Sequence, residues 1–436
     1  MLKALLKKTV DFRTDEELKG MLWAVAYGFF IMFSYYILRA VRDEISSADR
    51  GNLQILWTAV FVVMLLAVPL YSWIVSRFSR AVFVPLANRF FIACLVAFWA
   101  AIVFLPPEAR PWIDRVFYVW TSVFALFVVT VFWGLVADCF DNDQAKRLFG
   151  FIAVGASIGG IAGSSVTALL AVTVPVFSLL LIACVPLEAA SWCATALHRN
   201  HGTGEVRVEG EAVRPVAGNA WSGMKAVFAS PYLLAIATFI ALMTFASTIL
   251  YFQQANLVGE AFADRGERTA FFAKIDLAVN LLTIAFQVYL TARIVRWLGV
   301  GLALAAVPLA VAAGFVALGL YPTLAVLVVV QVAYRAGRYG ITKPARETLF
   351  TVVSREEKYK SKAFVDTAVY RGGDLASGWI YAGLAAVGLS IGAIALVAAP
   401  VAAIWVVLGL RLGKRGDELA RAGGGPGREA PALAAP

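Results

Sequence analysis

The chain has 436 residues, 61% of them hydrophobic and only 15% charged, with a net charge of +10. Soluble domains carry about 25% charged residues, so the composition argues against a soluble enzyme and for a chain lying largely in a bilayer. The four cysteines make no disulfide framework: Cys94, Cys184 and Cys193 fall in apolar runs and Cys139 beside one, where they read as small buried hydrophobes.

Residues 1–19 are too charged for a cleaved leader and show no small-residue cleavage site, so they read as a cytoplasmic segment with Leu2, Leu5, Leu6 and Val10 on one face of a short surface helix. Apolar runs then recur along the chain. About twelve are long enough to cross some 30 Å of hydrocarbon: 20–39, 53–75, 81–105, 113–137, 149–171, 174–196, 231–252, 269–292, 300–319, 323–342, 362–387 and 389–411. Backbone groups in lipid must be satisfied within each segment, so the runs predict helices, and no alternating strand pattern supports a β-barrel.

A polar stretch divides the runs six and six. The predicted organisation is a bundle over 20–196, a cytoplasmic linker over 197–230, a second bundle over 231–411 and a disordered cytoplasmic tail over 412–436. His198 and His201 lie in the linker without metal-ligand spacing, so no metal and no cofactor are expected. Lys3, Lys7, Arg77, Lys146, Arg293, Lys343, Lys362 and Lys414 gather on one side of the predicted topology, whereas Arg50, Arg110, Arg115, Arg265 and Arg268 are sparse on the other. That bias predicts both termini inside a bacterial-type inner membrane. It also accounts for the positive balance without a nucleic-acid partner.

Ionisable groups at membrane depth cost about 2.5–3.5 kcal/mol each and normally face a protein interior or a wet cavity. The first predicted helix carries Tyr35, Tyr36, Arg39, Arg42 and Asp43. Arg39 and Asp43 are spaced to pair at i, i+4, which leaves Arg42 as the freer cation. Trp133 and Asp138 close the fourth helix, and Gly155, Gly159, Gly163 and Thr167 recur every four residues on the fifth, a spacing that lets helix backbones approach closely. Gln253, Gln254 and Asn256 lie near the end of the seventh. On the eighth, Asp276, Asn280, Thr283 and Gln287 share one face; the stripe reads either as the wall of a water-filled path or as a hydrogen-bonded helix seam. The tenth carries Arg335 and Arg338, which suit a bidentate carboxylate or phosphate or, alternatively, Asp366, Asp374 or Asp138. On the eleventh, Asp366, Tyr370 and Asp374 align with Arg371 alongside, as a proton site or a breakable salt-bridge gate. No P-loop, GxGxxG after a strand or paired-His zinc motif appears, and the reading is not an enzyme.

Several stretches resemble the nucleotide (ATP/ADP-type) exchanger family of the major facilitator group. They are Leu38-Arg39-Ala40-Val41-Arg42-Asp43; Phe132-Trp133-Gly134-Leu135-Val136-Ala137-Asp138 followed by Gln144-Ala145-Lys146-Arg147-Leu148-Phe149; Pro344-Ala345-Arg346-Glu347; and Lys362-Ala363-Phe364-Val365-Asp366. The resemblance implies an all-α polytopic protein of two six-helix bundles with the major facilitator fold. It implies exchange of a nucleotide-like or other phosphorylated anion by alternating access. The chain departs from the family pattern at Gln144, where a glutamate is expected, and at Asp374, which reverses a lysine. Arg42 keeps the charge of a lysine, and Glu267 matches a retained glutamate.

The expectation is therefore a secondary transporter of a small anionic substrate in the lipid bilayer. Tyr35, Tyr36, Arg39, Arg42, Trp133, Gln253, Gln254, Arg335 and Arg338 are its candidate substrate contacts. Asp43, Asp138, Asp276, Asn280, Asp366, Arg371 and Asp374 are candidates for coupling or gating. Two alternatives stand beside it: a proton-coupled symporter or antiporter of another organic solute, and a transport-inactive membrane sensor.

Overall fold

The computed structural model describes residues 12–77, 80–201 and 220–422. The expected surface helix at Leu2–Val10 and the tail beyond Ala422 lie outside these residues.

Fifteen α-helices are described. In chain order they are α1 (Asp15–Ala48), α2 (Leu53–Arg77), α3 (Arg80–Phe104), α4 (Arg110–Cys139), α5 (Asn142–Leu170), α6 (Ser178–His201), α7 (Ala220–Ala229), α8 (Pro231–Ala261), α9 (Arg265–Ala285), α10 (Thr291–Leu320), α11 (Leu324–Gly337), α12 (Lys343–Leu349), α13 (Arg355–Phe364), α14 (Tyr370–Ala386) and α15 (Ile391–Ala422). Five-residue π turns at Phe286–Leu290, Arg338–Thr342 and Val365–Val369 carry the chain without a break from α9 to α10, α11 to α12 and α13 to α14.

Among the described residues, ten helical segments are long and apolar enough to cross a membrane. The remaining two expected spans, near 269–292 and 362–387, are helical as well. They carry the charged residues Lys274 and Asp276, and Asp366, Arg371 and Asp374. The predicted break between the eighth and ninth runs falls at Gly299, whose φ of 76° and ψ of 170° suit only glycine.

Four boundaries move. The first helix, expected over 20–39, runs from Asp15, capped by the Thr14 side chain, to Ala48, so Arg39, Arg42, Asp43 and Glu44 stand inside it. The sixth continues through His201, which puts His198 on a helix and not in a linker. Within the expected linker, Ala220–Ala229 is helical. The tail expected to be disordered from 412 is helical to Ala422: Leu412 is buried and Arg415 pairs with Glu418 at 3.0 Å one turn on.

Contacts gather the described residues into two compact units, one within Met1–Val206 plus Phe262–Asn280, the other within Arg207–Ala261 plus Leu281–Pro436. In the first, α1 packs against α4, α5 and α6, and α3 against α6. The glycine stripe explains the closest of these contacts. A Cβ at Gly155, Gly159 or Gly163 would stand 2.6, 2.1 or 2.5 Å from the backbone oxygen of Val25, Phe29 or Phe33. In the second, α10 packs on α15 and α8 on α14 and α15, around a core that includes Trp405 and Phe239, whose ring centroids are 5.4 Å apart. Large apolar side chains such as Leu65, Leu66, Phe90, Leu169 and Val185 are exposed; this is what a lipid solvent permits and water does not.

Candidate functional site

Charge in the first unit is mostly paired. Arg39 lies 3.2 Å from Asp276 and 3.7 Å from Asp43, so the i, i+4 pair exists with a second, buried carboxylate opposite it. The Tyr36 hydroxyl donates to Asn280 at 2.9 Å. The Asp276–Asn280 stripe is therefore engaged with α1 as a polar seam. Arg42 is not the free cation the spacing suggested: its guanidinium lies 4.7 Å from the centre of the Tyr118 ring and donates to the Tyr118 hydroxyl at 3.3 Å. Tyr35 stands edge-on to Tyr36 at 5.3 Å, Trp133 packs against Phe132 and Phe149, and Asp138 is exposed at the end of α4.

A denser network follows, joining Arg110, Arg265 and Arg268, which had read as loop charge, to Glu44 and Asp114. Glu44 is fully buried and accepts from Arg265 at 2.7 Å and from Arg268 at 2.9 Å. Arg265 also reaches Asp114 at 2.9 Å, which pairs with Arg110 at 3.0 Å. Spacing along the chain could not reveal these contacts, because Glu44 and Arg265 are 221 positions apart. At the start of α1, Glu17 receives Arg147 at 3.1 Å and the Gln144 amide at 3.3 Å. Gln144 at the same time accepts from the backbone N–H of Asp141 to close a capping box. An amide can accept from one and donate to the other. A glutamate, the residue expected from the resemblance, would set two carboxylates face to face.

The second unit holds a cavity of about 470 Å³. Two stretches supply most of its wall: Arg338, Tyr339, Thr342, Lys343, Arg346 and Glu347 on one, and Lys362, Asp366, Tyr370 and Arg371 on the other. Both follow four-residue steps, 338–342–346 and 362–366–370. On a regular helix such steps drift about 40° each. Each stretch contains a π turn, at Arg338–Thr342 and Val365–Val369. A π turn takes up extra residues and is frequent at functional sites; here it offsets the drift and keeps the stripe on one wall.

Five basic and two acidic side chains line this cavity. The acids are both engaged: Asp366 with Arg346 at 3.0 Å, Glu347 with Arg346 at 3.1 Å and with Lys362. Among the described residues, Arg338, Lys343 and Arg371 have no carboxylate partner within ion-pair distance. Arg338 donates to the Tyr370 hydroxyl and sits 5.5 and 5.3 Å from the ring centres of Tyr339 and Tyr370. Arg371 lies 6.0 Å from the Tyr370 ring. Buried at the wall, Thr342 Oγ1 and Arg346 Nε lack a hydrogen-bond partner.

Of the expected substrate contacts, only Arg338 reaches this cavity; of the coupling group, Asp366 and Arg371 do. Arg335 is buried on α11 and does not line it. Gln254 receives the Gln331 amide at 2.6 Å and Gln253 donates to the Ile391 carbonyl at 3.1 Å, so both tie helices together. Asp374 accepts from Thr248 at 3.5 Å. Spacing had singled out neither Tyr339 nor Lys343, although the four-residue stripe through Thr342 to Arg346 was there to be read.

No protein-family model matches the chain, and no curated protein matches it. Solved structures do. The POT family transporter PepTSo aligns over 92% of this chain and 98% of its own, with TM-score 0.63 and 13% identity. The inward-open xylose transporter XylE from E. coli gives the same coverages, score and identity. The nucleoside transporter NupG aligns over 93% and 100% with TM-score 0.59 and 12% identity. Identities this low establish the fold alone. The chain is an all-α polytopic membrane protein with the major facilitator fold.

Proposed function

We propose that the chain is a secondary transporter that moves a small organic anion across a bacterial-type inner membrane by alternating access, with both termini cytoplasmic. The observation that carries this reading is Arg338, a cation inside an apolar protein with two tyrosine rings and no carboxylate beside it. A cation held in an apolar protein without a carboxylate partner is costly and persists where it is used. With Lys343 and Arg371 it gives the cavity an excess of positive charge suited to a phosphate or carboxylate. Tyr339 and Tyr370 supply flat faces for a ring. A nucleotide-like or other phosphorylated anion moved by exchange meets both requirements and agrees with the resemblance in the helix motifs.

Proteoliposomes loaded with ADP and offered labelled ATP test this. Uptake that depends on internal nucleotide supports exchange, and no nucleotide-dependent flux overturns it. A second reading, proton-coupled transport, draws support from Asp276, a carboxylate 1% exposed and opposite Arg39. Accumulation that follows an imposed pH gradient and collapses with a protonophore would favour it.

A further inference from the structure

The cavity contains its own anions. Asp366 holds one arm of Arg346 at 3.0 Å, and Glu347 holds the other at 3.1 Å while also engaging Lys362. The two carboxylates differ from the rest of the wall in one respect. They neutralise cations that would otherwise meet a ligand, although they are themselves over a third exposed and open to exchange for it. Arg346, by contrast, is buried on the wall, with Nε lacking a partner. A guanidinium so placed has donors to spare for an incoming oxyanion once a carboxylate lets go.

We infer that Asp366 is a resident counter-anion: it competes with the ligand for Arg346 and so sets how much negative charge the cavity accepts. This deepens the anion-transport reading above and rests on it. With Asp366 in place, the cations open to a ligand are Arg338, Lys343 and Arg371. Without its charge, Arg346 joins them, and the gain grows with the charge of the ligand because every ligand charge feels the change. Asp366 is thus a selectivity residue that restrains the binding of the most highly charged anions. Glu347 does the same more weakly, since Lys362 and Arg346 share it.

Orthophosphate, pyrophosphate and tripolyphosphate form a series of one chemistry and rising charge. Their dissociation constants, measured by calorimetry on the purified full chain at one pH and one salt concentration, test the inference. Asp366→Asn is expected to tighten tripolyphosphate roughly tenfold and orthophosphate about two- to threefold, steepening the dependence on ligand charge. Asp366→Glu is expected to match the wild type. Glu347→Gln, expected to move the series the same way by a smaller factor, serves where Asp366→Asn does not fold. Binding by the wild type with an unchanged or shallower dependence in the neutral variant overturns the inference and leaves the anion reading standing. Failure of the wild type to bind any of the three overturns the anion reading itself, and this inference with it.

Discussion

The charged seam of the first unit and the charged cavity of the second draw on the same side chains and arrange them to opposite ends. Around Glu44 each guanidinium finds a carboxylate: Arg265 takes Glu44 and Asp114, Arg268 takes Glu44, and Arg39 takes Asp276 and Asp43. Around Arg338 the carboxylates are spent on Arg346 and Lys362, and three cations are left over. Charge that is satisfied within the protein fixes helices; charge left unsatisfied is available to a solute. The contrast separates residues whose loss should unfold the protein from residues whose loss should silence it.

The largest effect should come from breaking the seam. Glu44→Ala leaves Arg268 without its carboxylate and Arg265 with Asp114 alone, and removal of one partner of a buried pair costs about 3–5 kcal/mol. Thermal unfolding in detergent should show a marked loss of stability; an unchanged melting temperature would refute the pairing. Next, Gly159→Ala forces a methyl group to within 2.1 Å of the Phe29 carbonyl oxygen, and α1 and α5 can separate only at about 2 kcal/mol. The same measurement checks it, and wild-type stability would mean that the helices are not in backbone contact there.

Arg338→Ala should invert the pattern. Stability should hold or rise, because an uncompensated cation is removed, while uptake of an anionic solute falls tenfold or more, about 1.4 kcal/mol of recognition. In the wild type the interaction should weaken with added salt and change little with pH through this group, since arginine does not titrate. Full anion uptake by the variant would break the comparison. The smallest effect belongs to Gln144→Glu, which turns a carboxylate toward Glu17 and should cost about 1 kcal/mol. The double change with Glu17→Gln should recover it.

Hydropathy runs were enough to locate the spans, because hydrocarbon thickness dictates run length whatever the side chains do afterwards. The Gly155–Gly163 stripe was legible for a similar reason: only small residues permit backbone contact, so its spacing carries its geometry. Charges were legible as anomalies but not as partners. Arg42 looked free because its partner is Tyr118, a neutral ring 76 positions away. Arg265 and Arg268 looked like loop charge because their carboxylate partner, Glu44, lies 221 and 224 positions away, on a first helix whose hydrogen bonding runs past the end of its hydropathy run to Ala48. The cavity was half visible. Arg338, Asp366 and Arg371 stood out, and the four-residue stripe through Thr342 to Arg346 was there to be read, but on a regular helix its steps drift, and the π turn that offsets the drift was not anticipated.

Helix α9 divides its allegiance, with Arg265 to Asn280 grouped by contact with the amino-terminal residues and the chain from Leu281 onward with the carboxy-terminal ones. Two polypeptides made by severing the chain after His201 would therefore not be self-sufficient halves. The later fragment would carry Arg265, Arg268 and Asp276 without Glu44, Asp114 and Arg39 to neutralise them. Each fragment would depend on synthesis beside the other, and reassembly from separately purified pieces would have to rebuild those pairs before either could settle in lipid.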